Sequence, residues 1–321
     1  MKNITVIGCG RWGSFIAYYL DKIGKNVTLY GKKDSSDFVR FKETRTNGKV
    51  VLQDSLKLED NISKALENDV IVISINSQGL RDLMKEIMDY KVKNKVFILC
   101  MKGIEISTGK RLSEVVNEIA GPLNKVAVWI GPGHVEEFVK GVPNCMVIDS
   151  NDSELKEQLV KEFSSNLIRF YYGSDLIGNE IGAASKNVIG IAAGMLDGFG
   201  LSSLKGALMS RGTVEISRFI KILGGNELSA YGLCHLGDYE ATVFSEHSHN
   251  RMFGELFVKK EEYNSLAEGY YTVKAMINIA REKNIELPIC ETVYGILYEN
   301  KDPKESLDKL FMRSIKKEFI F

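Results

Sequence analysis

The chain has 321 residues, with 42 Lys plus Arg against 42 Asp plus Glu, so its formal net charge is zero, and 44% of its residues are apolar. That composition is globular, and the length allows about two domains with an ample core. A neutral chain lacks the basic footprint of a nucleic-acid or anionic-membrane binder, and no run approaches the roughly 20 apolar residues that span a bilayer. The five cysteines (Cys9, Cys100, Cys145, Cys234, Cys290) are scattered, odd in number and without CxxC spacing. They read as reduced thiols of a cytoplasmic protein rather than as disulfides or a zinc site. The amino terminus lacks the charged and apolar regions of a secretory signal.

Ile4-Thr5-Val6-Ile7 is a β-branched run suited to a buried parallel strand. Gly8-Cys9-Gly10-Arg11-Trp12-Gly13 follows at once, Ser14–Ile23 reads as a helix, and Val27–Tyr30 is a second strand. Strand, glycine loop, helix and strand within about 30 residues make a βαβ unit. Strands at Val70–Ile75, Val96–Cys100, Val126–Ile130 and Asn144–Ile148 then alternate with helices at Leu80–Met88 and Arg111–Ala120. This alternation, which runs to Tyr172, predicts a parallel sheet covered on both faces. The character changes near Gly173-Ser174-Asp175. Ile181–Gly198, Leu204–Leu223, Lys259–Lys283 and Pro288–Glu299 read as helices, several without a polar face. The expected architecture is a Rossmann-type, doubly wound α/β domain over residues 1–174 and a mostly α-helical domain over 175–321. Arg313–Phe321 is mixed basic and apolar and receives no function.

Several local patterns carry chemistry. In Gly8-x-Gly10-x-x-Gly13, Gly8 permits a tight turn, Gly10 lets backbone N–H groups approach a pyrophosphate, and Gly13 allows close helix–strand packing. Dinucleotide binding is the expected use. Tyr30-Gly31-Lys32-Lys33 stands where a carboxylate would close the second strand, with Asp34 slightly late. Lys32 and Lys33 can face a 2′-phosphate or be plain solvated charges, so NADP(H) is favoured, with NAD(H) also used. Lys102 follows a sheet strand at its ligand-binding end, although a surface lysine reads equally well. Gly131-Pro132-Gly133-His134 is a close-approach loop or a simple turn. Lys186 lies in an apolar, small-sided helix, where it must snorkel or face a cavity; burial there would lower its pKa toward neutrality. Asp238 and Thr242 precede Ser248-His249-Asn250-Arg251, a set of donors suited to a phosphate. A metal reading of His235, His247 and His249 has no supporting carboxylate spacing. Glu268 reads as a helix cap or a cofactor ribose contact.

Taken in order, GCGRWG at 8–13, MKG at 101–103, GPGH at 131–134, SKNVIGIAAGMLDGFG at 185–200, GLCHLGDYEAT at 232–242, SHNRMFG at 248–254, AEG at 267–269 and PICETVYGIL at 288–297 resemble the NAD(P)-dependent glycerol-3-phosphate dehydrogenase family over nearly the whole chain. The resemblance implies interconversion of sn-glycerol 3-phosphate and dihydroxyacetone phosphate, which supplies the glycerol backbone of phospholipids. It implies Lys186 as the general acid/base. The substrate would be held by Lys102, Gly131, Gly133, Asn187, Asp238, Thr242, Ser248, His249 and Asn250. The cofactor would meet Gly8, Gly10, Arg11, Trp12, Gly13, Lys102, Val135, Arg251 and Glu268.

The chain departs from the family at His249, where arginine is usual, at Gly133, usually serine, and at Val135, usually alanine. A histidine is cationic only when protonated. Phosphate binding is therefore expected to weaken above neutral pH unless Arg251 or another cation substitutes. The competing readings are a reductase of another small phosphorylated or carboxylated ketone, and a catalytically weak dinucleotide sensor. A homodimer is expected from the general prevalence of twofold oligomers.

Overall fold

In a computed structural model, residues 1–312 are described, and the 313–321 tail lies outside them. Eight strands are present: β1 (Asn3–Ile7), β2 (Asn26–Tyr30), β3 (Lys57–Glu59), β4 (Val70–Ile73), β5 (Val96–Leu99), β6 (Lys125–Ile130), β7 (Asn144–Asp149) and β8 (Ile168–Tyr172). They form one sheet in the order β3-β2-β1-β4-β5-β6-β7-β8. The sheet is parallel except that β7 runs antiparallel to β6, with Trp129 opposite Ile148. The βα alternation had pointed to a wholly parallel sheet. The exception follows from the connection: between β6 and β7 only Val135–Val139 is helical, about 7.5 Å of helix, too short to carry the chain back along the roughly 20 Å of β6 for a parallel return.

Seven helices accompany the sheet: α1 (Arg11–Lys22), α2 (Ser36–Thr44), α3 (Ile62–Ala65), α4 (Leu80–Asp89), α5 (Leu112–Ala120), α6 (Val135–Val139) and α7 (Ser153–Phe163). One sheet face buries Val6, Leu29, Val72 and Trp129 against Phe15, Phe38, Phe41 and Phe163 of α1, α2 and α7. The other buries Ile71, Ile73 and Phe97 against Ile62, Met84, Ile87 and Val115 of α3, α4 and α5. Each such side chain contributes roughly 1.5–3 kcal/mol when fully buried. All five cysteines are free, and four of them are buried.

The chain runs from β1 outward to β2 and β3 and then returns to β4 on β1's other side. This reversal opens a crevice beyond the carboxyl ends of β1 and β4. Gly8 stands there at φ 117°, and a Cβ on it would lie 2.1 Å from the Ser74 carbonyl oxygen after β4. Only glycine tolerates both conditions.

After β8 the described chain is helical: α8 (Leu176–Gly198), α9 (Lys205–Ile222), α10 (His249–Lys259), α11 (Glu268–Lys283), α12 (Pro288–Tyr298) and α13 (Pro303–Phe311), with a π-helical turn at Glu240–Phe244. α8 is buried almost throughout, from Gly178 to Leu196 apart from Asn179, and packs against α9, α10, α11 and α12. A Cβ at Gly194 would stand 1.9 Å from the Arg251 carbonyl oxygen of α10, so the two backbones touch there. Of the expected helix Lys259–Lys283 only Glu268–Lys283 is helical as one element, and Lys259 instead closes α10. α10 ends with Lys260 in the left-handed region at φ 60°, and α11 begins only at Glu268. No helix among the described residues is long and apolar enough to cross a membrane.

Candidate active site

A cleft of about 670 Å³ fills the crevice between the sheet and the helical region. Its sheet side comprises the Gly8–Gly13 loop, Ser74–Asn76, Lys102 and Gly133–Val135, and its helical side carries Lys186, Asn187, Asp238, Thr242, Ser248–Asn250 and Glu268. Residues that lie far apart in sequence thus meet on one cavity.

At its base one carboxylate oxygen serves two ammonium groups. Asp238 Oδ2 lies 2.8 Å from Lys186 Nζ and 2.7 Å from Lys102 Nζ. Lys186 also donates to Thr242 Oγ1 at 2.6 Å, and that hydroxyl donates to the Asp238 carbonyl oxygen at 2.7 Å. Lys102 donates to the Gly131 carbonyl oxygen at 2.6 Å, so Gly131 serves through its backbone behind the cleft wall. Lys186 does not snorkel; its side chain is 8% exposed. Burial pulls its pKa down to about 8, with Asp238 opposing the fall and Lys102 adding to it. Two cations against one carboxylate leave an excess positive charge facing the cleft.

Asn187 Nδ2 donates to the Lys102 carbonyl oxygen (3.0 Å), Asn250 Nδ2 to Asn187 Oδ1 (3.0 Å), and the Gly269 N–H to Asn250 Oδ1 (2.9 Å). This chain of amides fixes the β5 loop, α8, α10 and α11 in register. Ser248 caps α10, its Oγ accepting from the Arg251 N–H at 3.3 Å. His249 Nδ1 pairs with the Tyr263 hydroxyl at 2.5 Å. Burial, then the positive charges of Arg11 and Lys49, hold the His249 imidazole below its usual pKa, against the pull of Glu136.

Arg251 does not reach the cleft. Its guanidinium turns the other way to Asp197 and Glu255, both at 2.8 Å, and donates through Nε to the Ser245 carbonyl oxygen at 3.0 Å. It is thus not available as the substitute cation for phosphate. Lys32 and Lys33 are exposed and lie outside the cleft lining. Glu268 caps nothing in its own helix. It reaches across the cleft and accepts from the Ser77 N–H at 3.0 Å and Ser77 Oγ at 2.5 Å. Arg11 pairs with Glu136 and donates to the His247 carbonyl oxygen at 3.2 Å. Trp12 lies beside Phe138, and Gly133, at φ 148°, has that same ring where a side chain would stand. Both nitrogens of His235 are occupied, by the Gly182 carbonyl and the Tyr239 hydroxyl.

Sequence reading missed Asp37, Ser74–Asn76 and His134, all of which line the cleft. Asp37 sits in the first turn of α2, and only folding shows which way that turn faces. The structure fits a bound dinucleotide on several counts. α1 opens at Gly10 with no side chain capping it and no acidic residue in its first turn, which leaves its N–H groups and positive dipole end for a pyrophosphate. A Cβ on Gly10 would meet nothing within 4 Å, so the loop faces open space. Deeper in, Asp238 Oδ1 and His134 Nε2 are buried and without a hydrogen-bond partner among the described residues. A buried polar atom in that condition costs about 1–3 kcal/mol, which an arriving ligand atom recovers.

Two family models match the chain: NAD-dependent glycerol-3-phosphate dehydrogenase N-terminus over residues 3–156, and NAD-dependent glycerol-3-phosphate dehydrogenase C-terminus over 175–308. A glycerol-3-phosphate dehydrogenase [NAD(P)+] of Thermotoga sp. is 38% identical over 326 residues, covering 98% of each chain. Its counterpart in Fusobacterium nucleatum is 35% identical over 331 residues, covering 99% of each. The crystal structure of glycerol-3-phosphate dehydrogenase from Coxiella burnetii superposes with a TM-score of 0.91 at 26% identity, covering 97% of this chain and 99% of that one. D-mandelate dehydrogenase, solved with NADH, shares the fold at a TM-score of 0.63 and 12% identity. Matched in both halves and over its full length, the chain belongs to the NAD-dependent glycerol-3-phosphate dehydrogenase family.

Proposed function

We propose that this protein interconverts sn-glycerol 3-phosphate and dihydroxyacetone phosphate with a nicotinamide dinucleotide, supplying glycerol 3-phosphate for phospholipid synthesis. The observation that carries the reading is the Lys186–Asp238–Lys102 cluster, set at the base of a cleft that the glycine loop also lines. When bound, the dinucleotide supplies or accepts the hydride. In the reducing direction negative charge builds on the substrate C2 oxygen. Lys186 Nζ stabilises that charge and delivers its proton there, and in the oxidising direction the neutral amine takes the proton back. A pKa near 8 suits both tasks. Asp238 and Thr242 aim the ammonium, and Lys102 adds positive potential for a dianionic substrate. Asn187, Ser248, His249 and Asn250, which line the same cleft, would hold the phosphate end.

The reading gives residues 1–174 the dinucleotide and 175–321 the substrate. It assigns NADPH as the preferred cofactor with NADH also used, on the support of Lys32 and Lys33 after β2; Asp37 at the cleft edge tempers that preference. It places a homodimer in the cytoplasm, acting on a small phosphorylated molecule without nucleic-acid or membrane partners.

The test follows loss of NADPH absorbance with dihydroxyacetone phosphate for wild type and Lys186→Ala. The variant should lose on the order of 10²–10⁴ in rate, and a loss below tenfold removes Lys186 from its role. Titrating the same protein with NADPH and NADH, before and after Lys32→Ala and Lys33→Ala, reads the cofactor preference. An NADPH affinity unchanged by both substitutions rejects the lysine assignment.

A further inference from the structure

Thr242 holds the Lys186 ammonium, yet it lies in a single π-helical turn, Glu240–Phe244. Such a turn shifts the regular carbonyl partners by one residue and tends to occur at functional sites. Here two carbonyls at the end of the turn are taken up by cations from elsewhere in the fold. Lys205 Nζ donates to the Val243 carbonyl oxygen at 3.0 Å, and Arg251 Nε to that of Ser245 at 3.0 Å. Both cations return to one acceptor: Asp197 Oδ2 lies 2.6 Å from Lys205 Nζ and 2.8 Å from Arg251 Nη1. Ser202 Oγ donates to Asp197 Oδ1 at 2.6 Å. The three charged side chains are only 8–12% exposed.

Asp197 and Lys186 share α8. Eleven residues separate them, about three turns, so they project from nearly the same face. Between them Gly190 and Gly194 let the turn and α10 lie on the helix: a Cβ at Gly190 would stand 2.7 Å from Thr242 Cγ2. α8 therefore grips the turn at two points. Lys186 holds the Thr242 hydroxyl directly, and Asp197 holds the backbone that follows through two cations.

We propose that Asp197 is a positioning residue for this enzyme: through Lys205 and Arg251 it pins the π-helical turn so that Thr242 stays against the Lys186 ammonium. The proposal rests on Lys186 as the acid–base group. Around Lys186 also stand Asp238 and Lys102, with His134 and His235 at longer range. None of these pairs with Asp197, so a change at Asp197 reaches Lys186 by way of Thr242.

The experiment uses the full chain as wild type, Asp197→Asn and Lys205→Gln, with Asp197→Glu as the conservative variant. Steady-state kinetics with NADPH and dihydroxyacetone phosphate are taken from pH 6 to about pH 10, with NADPH affinity and Tm measured alongside. The expected result is a fall in kcat of roughly 10- to 100-fold, with NADPH affinity nearly unchanged. The alkaline limb of the reduction profile should move to lower pH, because an ammonium that loses an acceptor deprotonates more readily. Asp197→Glu should restore part of both effects. A lower Tm with kcat and the limb unmoved overturns the proposal, as does failure of both Asp197→Asn and Lys205→Gln to fold, which would make the network purely structural. A wild type inactive toward dihydroxyacetone phosphate sinks the functional reading itself, whereas an active wild type with unaffected variants sinks only this inference.

Discussion

A carboxylate shared by two ammonium groups decides what single residues do in the cleft. Asp238 compensates part of the cost of burying Lys186, and the balance leaves an amine that titrates near working pH. His249 is pulled down as well, and there nearby cations add to the effect of burial. The resemblance leads one to expect arginine at this position, and burial together with Arg11 and Lys49 disfavours the cationic form of the histidine. A neutral imidazole gives a phosphate a hydrogen bond and no charge. His249→Arg is therefore expected to lower the KM for dihydroxyacetone phosphate more at about pH 8 than at about pH 6, where His249 carries more charge on its own. The ratio of the two enzymes' KM values cancels the titration of the substrate phosphate. A ratio flat across that range takes His249 out of phosphate binding. Lys186 could be found from sequence because a lysine amid Gly, Ala, Val and Ile is conspicuous. The direction of Arg251 could not, since its partners Asp197 and Glu255 compete with the cleft only after folding.

Helix α8 is the element on which the site is built, and its close contact with α10 sets the spacing of both cleft walls on the helical side. Gly254 of α10 fits against the Ile191 carbonyl oxygen of α8, where a Cβ would lie 2.1 Å away. Backbone cannot yield as a side chain does, so Gly254→Ala should push the helices apart at a cost of about 1–3 kcal/mol. Urea denaturation checks the loss, and a variant within about 0.5 kcal/mol of wild type would mean the crossing relaxes freely. The helix itself was legible from its unbroken apolar run, and so was its tight packing, from its small residues. The break after Lys259 was not. Nothing in the sequence from Lys260 to Ala267 is a strong helix breaker, and the chain turns because Lys260 adopts a left-handed conformation that lets α11 start afresh against α8.

At the scale of the molecule, a few polar ties crossing between sheet and helical region keep the cleft assembled. Besides Lys102–Asp238 and Ser77–Glu268, Glu180 of α8 accepts from Arg111 Nη1 at 2.5 Å and from the Ser113 N–H and hydroxyl at 2.9 and 2.6 Å, at the start of α5. Burial holds the Glu180 carboxyl above its ordinary pKa, although Arg111 and Ser113 oppose the rise. Arg111→Met would strand that carboxylate with its two serine bonds alone. A loss of about 3 kcal/mol is expected, the lower end for a broken buried pair, and Arg111→Met with Glu180→Gln should recover part of it. Calorimetry of the single and double variants decides the matter; equal stability of wild type and Arg111→Met would show that the tie contributes nothing.

By itself, the sequence determined the βα alternation of the first half, the helical character of the second, the glycine loop and a lysine set in an apolar helix. These are written in short-range patterns: β-branched runs, glycine spacing, and a charge set among apolar neighbours. Tertiary structure alone decided that β7 reverses, that Asp37 and His134 face the cleft, that Glu268 reaches Ser77, and that Arg251 turns away to Asp197. Each of these depends on groups tens to hundreds of residues apart competing for one buried partner, and that competition is settled only when the whole fold brings them together.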